Sequence, residues 1–533
     1  MNEAKVGLES VPSVASTPST DSIPWQKEAI YPEASQSSSD RNTVDVPADI
    51  SFALLQKGFD IDRQGVVRWR QDSITSIHPR RWSLLRKSYD SAVICFMEFI
   101  MTLISNTGSS IAPYAMEDLG ISRELALFYF TTLYLLGQAI GGLILPPVAE
   151  SFGGRSIYLT STIAYSACCV ILGACPTVPV VIVMRFASGF LSAMPAVVAC
   201  GSIENMWDTK ARIWLVHVWI SSAVAGLACA PTIATVISES HLRWPWLFYI
   251  AAIVTAAIAL MCCWMTESRP SQLLKKEVKD VARNNSFSGL SLDDADSTPD
   301  LKTFVRVHLA LPIRLFLTEP IVFLTSIMGA TVYGIIYLFT PALPVIYTSP
   351  PYTFTPLQTS LVSLALALGI PLTFLPRIYD ILLLRRKAPS TIEPEDKLFG
   401  FYVAAPVLAV GLWIFSTTIP PLTSHLTPWI SIAALTLIGF AVVEFDNVLS
   451  GYLTDTYTSY AASAISPMSF LRAVLSGVFP LFGERMFRGL GGGYAGMVLA
   501  GCATGFCVVA AGFWRWGRGV RGRSRMASDG CGS

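Results

Sequence analysis

Four charged residues interrupt stretches that are otherwise built for oil. They are Arg185 in VIVMRFASGFLSAM, Glu98 in VICFMEFIMTL, and Glu444 and Asp446 in VVEFDNVLSGYL. A guanidinium at the centre of a bilayer costs at least about 2.5–3.5 kcal/mol, so such a group persists only where a partner holds it. A carboxylate in the same setting can bind and release a proton. The chemistry these residue types offer is therefore proton binding and charge pairing. Bond-making chemistry finds no matching set: the five histidines are scattered, and neither a His-rich metal box nor a Ser/His/Asp set is present. Most of the 11 cysteines, including Cys168, Cys169, Cys200, Cys229, Cys262 and Cys263, lie in apolar runs without metal-ligand spacing. They read as small apolar core residues rather than ligands or disulfide partners. No metal and no cofactor is expected.

The elements that must hold these charges are long apolar helices. The chain has 533 residues, 52% hydrophobic and only 14% charged, with a mean hydropathy of +0.51. Average soluble chains are about 25% charged. The net charge of +1 carries no footprint of a nucleic-acid partner. Runs long enough to cross a bilayer fall at about 89–113, 125–147, 157–177, 179–203, 213–236 and 246–266. After a polar gap come about 320–348, 356–376, 399–418, 428–452, 463–482 and 494–515. This predicts an all-α membrane protein of twelve spans in two six-helix halves, at 81–266 and 319–515. The flanking segments are a polar, disordered N-terminal stretch (1–80), a central loop (267–318) and a basic tail (516–533). The first 80 residues have no apolar signal core, so span 1 serves as the insertion signal. The middle of the central loop reads as disordered, and its end, LKTFVRVHLALPIRLF, as an amphipathic interfacial helix. Lysine and arginine crowd HPRRWSLLRK, the central loop, LLLRRK and the tail, which places both termini and the central loop in the cytosol. Arg485 and Arg488 run against that pattern but are outnumbered.

Within this frame the candidates acquire positions. Spans 1 and 4 run in opposite directions, so Glu98 and Arg185 come to similar depth, about 7 Å apart along the bilayer normal. They could form a coupling pair; alternatively they only lock the bundle, with Arg185 capping backbone carbonyls. Glu444, Asp446 and Asn447 either face a cavity or, if span 10 ends early, meet cytosolic water. Tyr333 and Tyr337, at i and i+4 in span 7, share one helix face. A phenol offers an apolar plate and a hydroxyl, suited to a bulky amphipathic ligand, to helix packing or to an interfacial belt. In the loop PPVAESFGGRSIY, Gly153 supplies the turn, while Glu150 and Arg155 could pair at the cytosolic mouth and separate when the halves rock.

These motifs resemble those of the major facilitator superfamily. Its loop 2–3 signature, Gly-x-x-x-Asp/Glu-x-x-Gly-Arg-Arg/Lys, is met by Glu150, Gly153 and Arg155, with Pro146 and Gly154 as departures. Its span 4 signature, Arg-x-x-x-Gly, is met by Arg185 and Gly189. The span 5 signature of its antiporters is met by Gly226 and Pro231, while Leu227, Ala230, Ala234 and Thr235 depart. A narrower likeness is to fungal drug:proton antiporters of the polyamine-transporter-like branch. It rests on Pro79, Trp82, Ser83 and Lys87 before span 1, on Glu319 to Val322 and Tyr333 to Phe339 around span 7, and on Asp455, Tyr457, Ser463, Ala464, Arg472, Pro480, Leu481 and Phe482 around span 11. The resemblance covers about 77–516 and implies the twelve-span fold.

The resemblance further implies secondary active export of a small organic molecule, such as a secondary metabolite, toxin or drug, by proton antiport with alternating access. Glu98, Arg185, Glu444 and Asp446 are then the proton and charge-pair candidates. Tyr333, Tyr337 and Asn447 are the cavity candidates, Glu150, Gly153 and Arg155 the gate, and Gly189, Gly226 and Pro231 the packing positions. The proton gradient takes the place of a cofactor. The expected partners are the lipid bilayer and the small-molecule substrate, with the chain a monomer. The plasma membrane is the expected location, with a vacuolar or other endomembrane as alternative. An importer or uniporter of an organic acid, polyamine or nutrient is the alternative function on the same fold; a channel would show neither saturation nor proton coupling.

Overall fold

The computed structural model of the chain describes residues 47–61, 66–69, 77–284, 291–292, 310–386, 393–423, 427–457 and 461–524. Twelve helices among them are long and apolar enough to cross a membrane. Spans 1 to 6 are Leu84–Leu119, Arg123–Ala149, Gly154–Ala174, Val178–Met206, Thr209–Glu239 and Pro245–Trp264. Spans 7 to 12 are Pro320–Tyr347, Pro356–Arg386, Pro394–Thr417, Pro428–Thr456, Ala461–Leu490 and Gly492–Gly522. Local chemistry sets many of their ends. Proline opens the first turn of spans 4, 6, 7, 8 and 10, where its missing N–H has no helical partner to lose. Thr355 and Gln358 form a reciprocal capping box at span 8. Span 1 stops at Gly120, whose φ of 62° terminates the helix.

The two halves repeat one packing plan. Span 1 lies against span 5, 2 against 4 and 3 against 6; six spans later, 7 lies against 11, 8 against 10 and 9 against 12. The halves meet through spans 2 and 11 and through spans 5 and 8. Small residues let the backbones close. A Cβ on Gly189 would collide with the Tyr134 carbonyl of span 2, and one on Gly226 with the Phe99 carbonyl of span 1. Pro231 sits inside span 5 and is buried. Large apolar side chains such as Val183, Trp264 and Val508 point outward, as a lipid-facing surface requires.

The flanks differ from the sequence expectation. Part of the segment expected to be disordered is folded: helix Ala48–Gln56 and strands Phe59–Ile61 and Val66–Trp69 pack on helix Pro270–Asn284 of the central loop. Ile50, Leu54, Phe59 and Val67 close over Leu274, Val278 and Val281, and Lys57 pairs with Glu277 at 2.7 Å. The apolar residues are too sparse in either segment alone to signal this, because each supplies half of one small core. Residues 1–46, the middle of the central loop at 293–309 and the tail from 525 lie outside the described residues. The basic tail begins as helix: Gly492–Arg523 continues past the apolar run, and Arg518 and Arg521 pair with Glu393 and Glu395 at 2.6 and 2.8 Å. At the start of span 1, His78 accepts the Arg80 N–H at Nδ1 (3.2 Å), and burial together with Arg80, Arg81 and Lys87 holds its imidazole below the ordinary histidine range.

Candidate functional site

A cavity of about 430 Å³ lies between the halves, within the range of small-molecule sites. Glu98 and Thr102 of span 1 line it together with Trp219, Tyr333, Tyr337, Asn447 and Arg472. Its wall extends to Pro147, Thr209, Arg269, Lys397 and Asp455, all on the face where the even-to-odd loops and the chain ends lie. On the opposite face the halves are joined. Tyr337 Oη and Ser105 Oγ are 2.6 Å apart, and Thr340 donates to Asn106 Oδ1 at 2.9 Å. Thr132 donates to the Gly477 carbonyl at 2.6 Å, and Ser363 to the Ala228 carbonyl at 2.8 Å. Two ion pairs, Arg123–Glu484 (2.5 Å) and Arg485–Glu124 (2.8 Å), tie the ends of spans 2 and 11. The cavity is thus reached from the face of the chain ends and shut from the other.

Arg185 is fully buried, and the structure decides between its two readings. Its guanidinium donates to the carbonyls of Phe130, Ile104 and Ser105 and stacks over the Tyr134 ring at 4.5 Å. No carboxylate pairs with it among the described residues, so the expected Glu98–Arg185 pair is not formed. Phe130 lies in a π-helical turn, Phe128–Thr132, whose wider winding loosens the helical ladder and turns a carbonyl toward Arg185. Backbone carbonyls hold Nε and Nη2 of the guanidinium, while Nη1 has no hydrogen-bond partner among the described residues.

Glu98 is 5% exposed and lines the cavity. Thr102 Oγ1 lies 3.2 Å from its Oε1 and 2.6 Å from the Glu98 carbonyl oxygen, and among the described residues Glu98 forms no ion pair. The guanidinium that acts on it is Arg472, across the cavity in span 11. Arg472 is held on both oxygens of Asp446 (2.8 and 2.9 Å) and stacks over Tyr333 at 4.9 Å. Glu444 lies deeper in span 10, fully buried, and takes Arg377 at 2.7 Å; Arg377 also holds Asp380 at 2.9 Å. Span 10 therefore runs past these acids to Thr456 rather than ending before them; Glu444 is fully buried and Asp446 lines the cavity. Asn447 faces His217 of span 5 at 2.9 Å. Tyr333 and Tyr337 stand side by side, their centroids 6.3 Å apart.

The loop 2–3 motif works within one half. Gly153 adopts φ 91°, a conformation that favours glycine, and a Cβ there would lie 2.6 Å from the Glu267 carboxylate. Glu267, at the end of span 6, accepts the Gly154 and Arg155 N–H groups at 3.1 and 3.0 Å, an anion on a helix N-terminus. Arg155 donates onward to the Cys263 carbonyl at 2.7 Å. The side chain of Glu150 lies outside the described residues.

Sequence reasoning passed over Arg377, Asp380 and His217 as candidates, and met Arg472 only as a motif match. Arg377 and Asp380 fall just beyond the apolar run expected for span 8. Arg472 and His217 were visible as polar residues in apolar spans, the same signal that singled out Arg185.

The family model described as Major Facilitator Superfamily matches residues 94–480. The chain is 26% identical over 454 residues to the multidrug transporter TPO1_2 of Candida glabrata, covering 85% of this chain and 78% of that one. It is also 26% identical to the efflux pump radE of Floropilus chiversii (84% of each chain) and 25% identical to the MFS transporter cpaT of Aspergillus oryzae (84% and 90%).

Proposed function

Because the chain belongs to the Major Facilitator Superfamily and is an integral membrane transporter rather than an enzyme, we propose that it exports a small organic molecule by alternating access, in exchange for protons. The observation that carries this reading is the cavity itself, open toward one face, shut toward the other, and lined by a carboxylate that forms no ion pair among the described residues, beside two tyrosines. The similar proteins named for multidrug transport and efflux support export. The crowding of lysine and arginine near the chain ends supports a cytosolic placement of both termini, and then the cavity opens to the cytosol; the plasma membrane is the location this reading takes. The chain works as a monomer, needs no cofactor, and draws its energy from the proton gradient.

The coupling follows from two groups on opposite halves. Arg472 has one carboxylate in hand, Asp446, and a second within its electrostatic reach, Glu98. With a proton on Glu98, Arg472 stays on Asp446 and covers the ring of Tyr333. Loss of that proton creates a second anion competing for the same guanidinium, which draws it off Tyr333, opens the aromatic wall to substrate and biases the halves. Substrate between them and proton on Glu98 thus favour different arrangements. The test uses purified protein in vesicles loaded with rhodamine 6G. A pH step of either sign should drive the dye against its gradient in the direction opposite to the protons. Saturable movement that ignores the pH step would point instead to a uniporter.

A further inference from the structure

His217 is one of five histidines and is fully buried at the junction of the halves. Its two ring nitrogens are both engaged. Nε2 lies 3.1 Å from Thr373 Oγ1 of span 8, and Nδ1 lies 2.9 Å from Asn447 Nδ2 of span 10. The threonine fixes the tautomer. Its one hydroxyl hydrogen goes to the Ile370 carbonyl at 2.5 Å, so toward His217 it can only accept. Nε2 therefore carries the hydrogen, and Nδ1 is bare and takes an N–H from the Asn447 amide. The ring is neutral in this arrangement, packed edge-on against Phe374 at 4.9 Å.

The other end of that amide is not used. Asn447 Oδ1 takes no hydrogen bond from the described residues and is not sealed in, and Asn447 lines the cavity. A proton arriving at Nδ1 turns an acceptor into a donor. The contact with Asn447 then survives only if the amide rotates by half a turn, so that Oδ1 accepts from the imidazolium and the NH2 group faces the cavity.

The charges around the ring pull both ways. Of the charged groups on elements packed against span 5, Arg377 of span 8 acts on the ring directly, as a cation like the imidazolium itself. It is held by Asp380 and Glu444, so that trio carries one cation and two carboxylates. Glu444 Oε1, Asp380 Oδ1 and Arg377 Nε are buried without a hydrogen-bond partner among the described residues. Asp446 of span 10 is committed to Arg472, and Glu98 of span 1 acts on Arg472 rather than on His217. With both carboxylates of the trio ionised, a proton on His217 brings the four groups to neutrality.

We propose that His217 is a second proton-binding site, and that its proton sets which end of the Asn447 amide meets the substrate: an acceptor when the ring is neutral, a donor when it is charged. The proton goes to Nδ1 and no covalent bond other than N–H changes. The site deepens the transport reading and rests on it for its purpose, while proton binding itself can be measured without transport.

The experiment is nitrogen NMR of the full-length protein in lipid nanodiscs, labelled at histidine, with His78, His241, His308 and His425 replaced by glutamine so that His217 alone reports. At pH 8 the expected spectrum is that of a ring protonated at Nε2 with a bare Nδ1. Lowering the pH to 4 should convert it to the imidazolium. Asn447→Asp, which places a full acceptor beside Nδ1, should make the ring hold its proton at least ten times more tightly. Asn447→Leu, which removes the acceptor, should do the reverse. A hydrogen found on Nδ1 at pH 8, or an affinity that neither Asn447 variant moves, overturns the proposal. Should the quadruple background not fold, His217→Gln in the wild-type chain identifies the signal by its loss, and the same titration is read there. If His217 titrates as stated but rhodamine 6G is not driven by a pH step, the site stands and the transport reading fails. If the dye is driven while His217 stays inert, only the present inference fails.

Discussion

Arg185 and Arg472 are both buried cations in apolar helices, yet the two halves of the molecule hold them by opposite means. In the first half Arg185 is bound to three backbone carbonyls and an aromatic ring, with no carboxylate among the described residues. In the second half Arg472 is bound to the carboxylate of Asp446, and Arg377 to two more. A carbonyl keeps its dipole whatever the proton concentration, whereas a carboxylate can be neutralised. The first arginine is therefore a fixed brace for spans 1, 2 and 4. The arginines of the second half are held by partners that can change state, and the cavity is where that change meets Glu98.

This contrast can be broken experimentally. Arg185→Ala should show the largest effect. It orphans carbonyls at about 1–3 kcal/mol each where no water replaces the guanidinium, so transport measured per membrane-inserted molecule should be abolished. Lysine should not restore it fully, because it lacks the planar fork that reaches several carbonyls at once. Recovery of transport in Arg185→Ala by neutralising any single carboxylate would show that the brace is an ion pair after all.

Arg472→Ala should come next, and should differ in kind. It leaves Asp446 buried and unpaired, a loss of about 3–5 kcal/mol. Adding Asp446→Asn removes the stranded charge and should restore thermal stability, though not proton-driven flux. Equal melting temperatures for the single and the double variant would erase the distinction between the halves. The smallest effect is expected from Tyr337→Phe, which removes the hydroxyl bond to Ser105 across the closed face but keeps the ring. A neutral bond of this kind contributes about 1 kcal/mol, so flux should change by less than tenfold and its pH dependence should be unaltered.

Much of this was legible in the sequence. The twelve apolar runs, the six-plus-six division and the small residues Gly189 and Gly226 all mark helices that cross a bilayer and pack closely. The buried acids of span 10 were also visible, because a carboxylate in an apolar run draws attention by itself. The partners were not. Glu98 and Arg185 matched in depth, but depth cannot say whether a π-helical turn will offer Arg185 a carbonyl first. Arg377 and Asp380 escaped because an apolar-run criterion ends span 8 just before them, although the helix continues to Arg386. The small core of Phe59, Val67 and Leu274 outside the spans escaped because its halves are separated by about two hundred residues and neither is apolar enough alone.

The central claim is that Glu98, which faces the cavity and forms no ion pair among the described residues, carries the coupling proton. Its most direct test is flux of rhodamine 6G into vesicles with an imposed pH step, comparing Glu98→Gln with Glu444→Gln and Asp446→Asn. Glutamine keeps the shape and the Thr102 contact but cannot release a proton. Glu98→Gln should lose accumulation against the dye gradient and its pH dependence while retaining downhill exchange, and neither span 10 variant should do the same. If Glu98→Gln still concentrates the dye with normal pH dependence, the assignment is contradicted and the coupling proton belongs elsewhere.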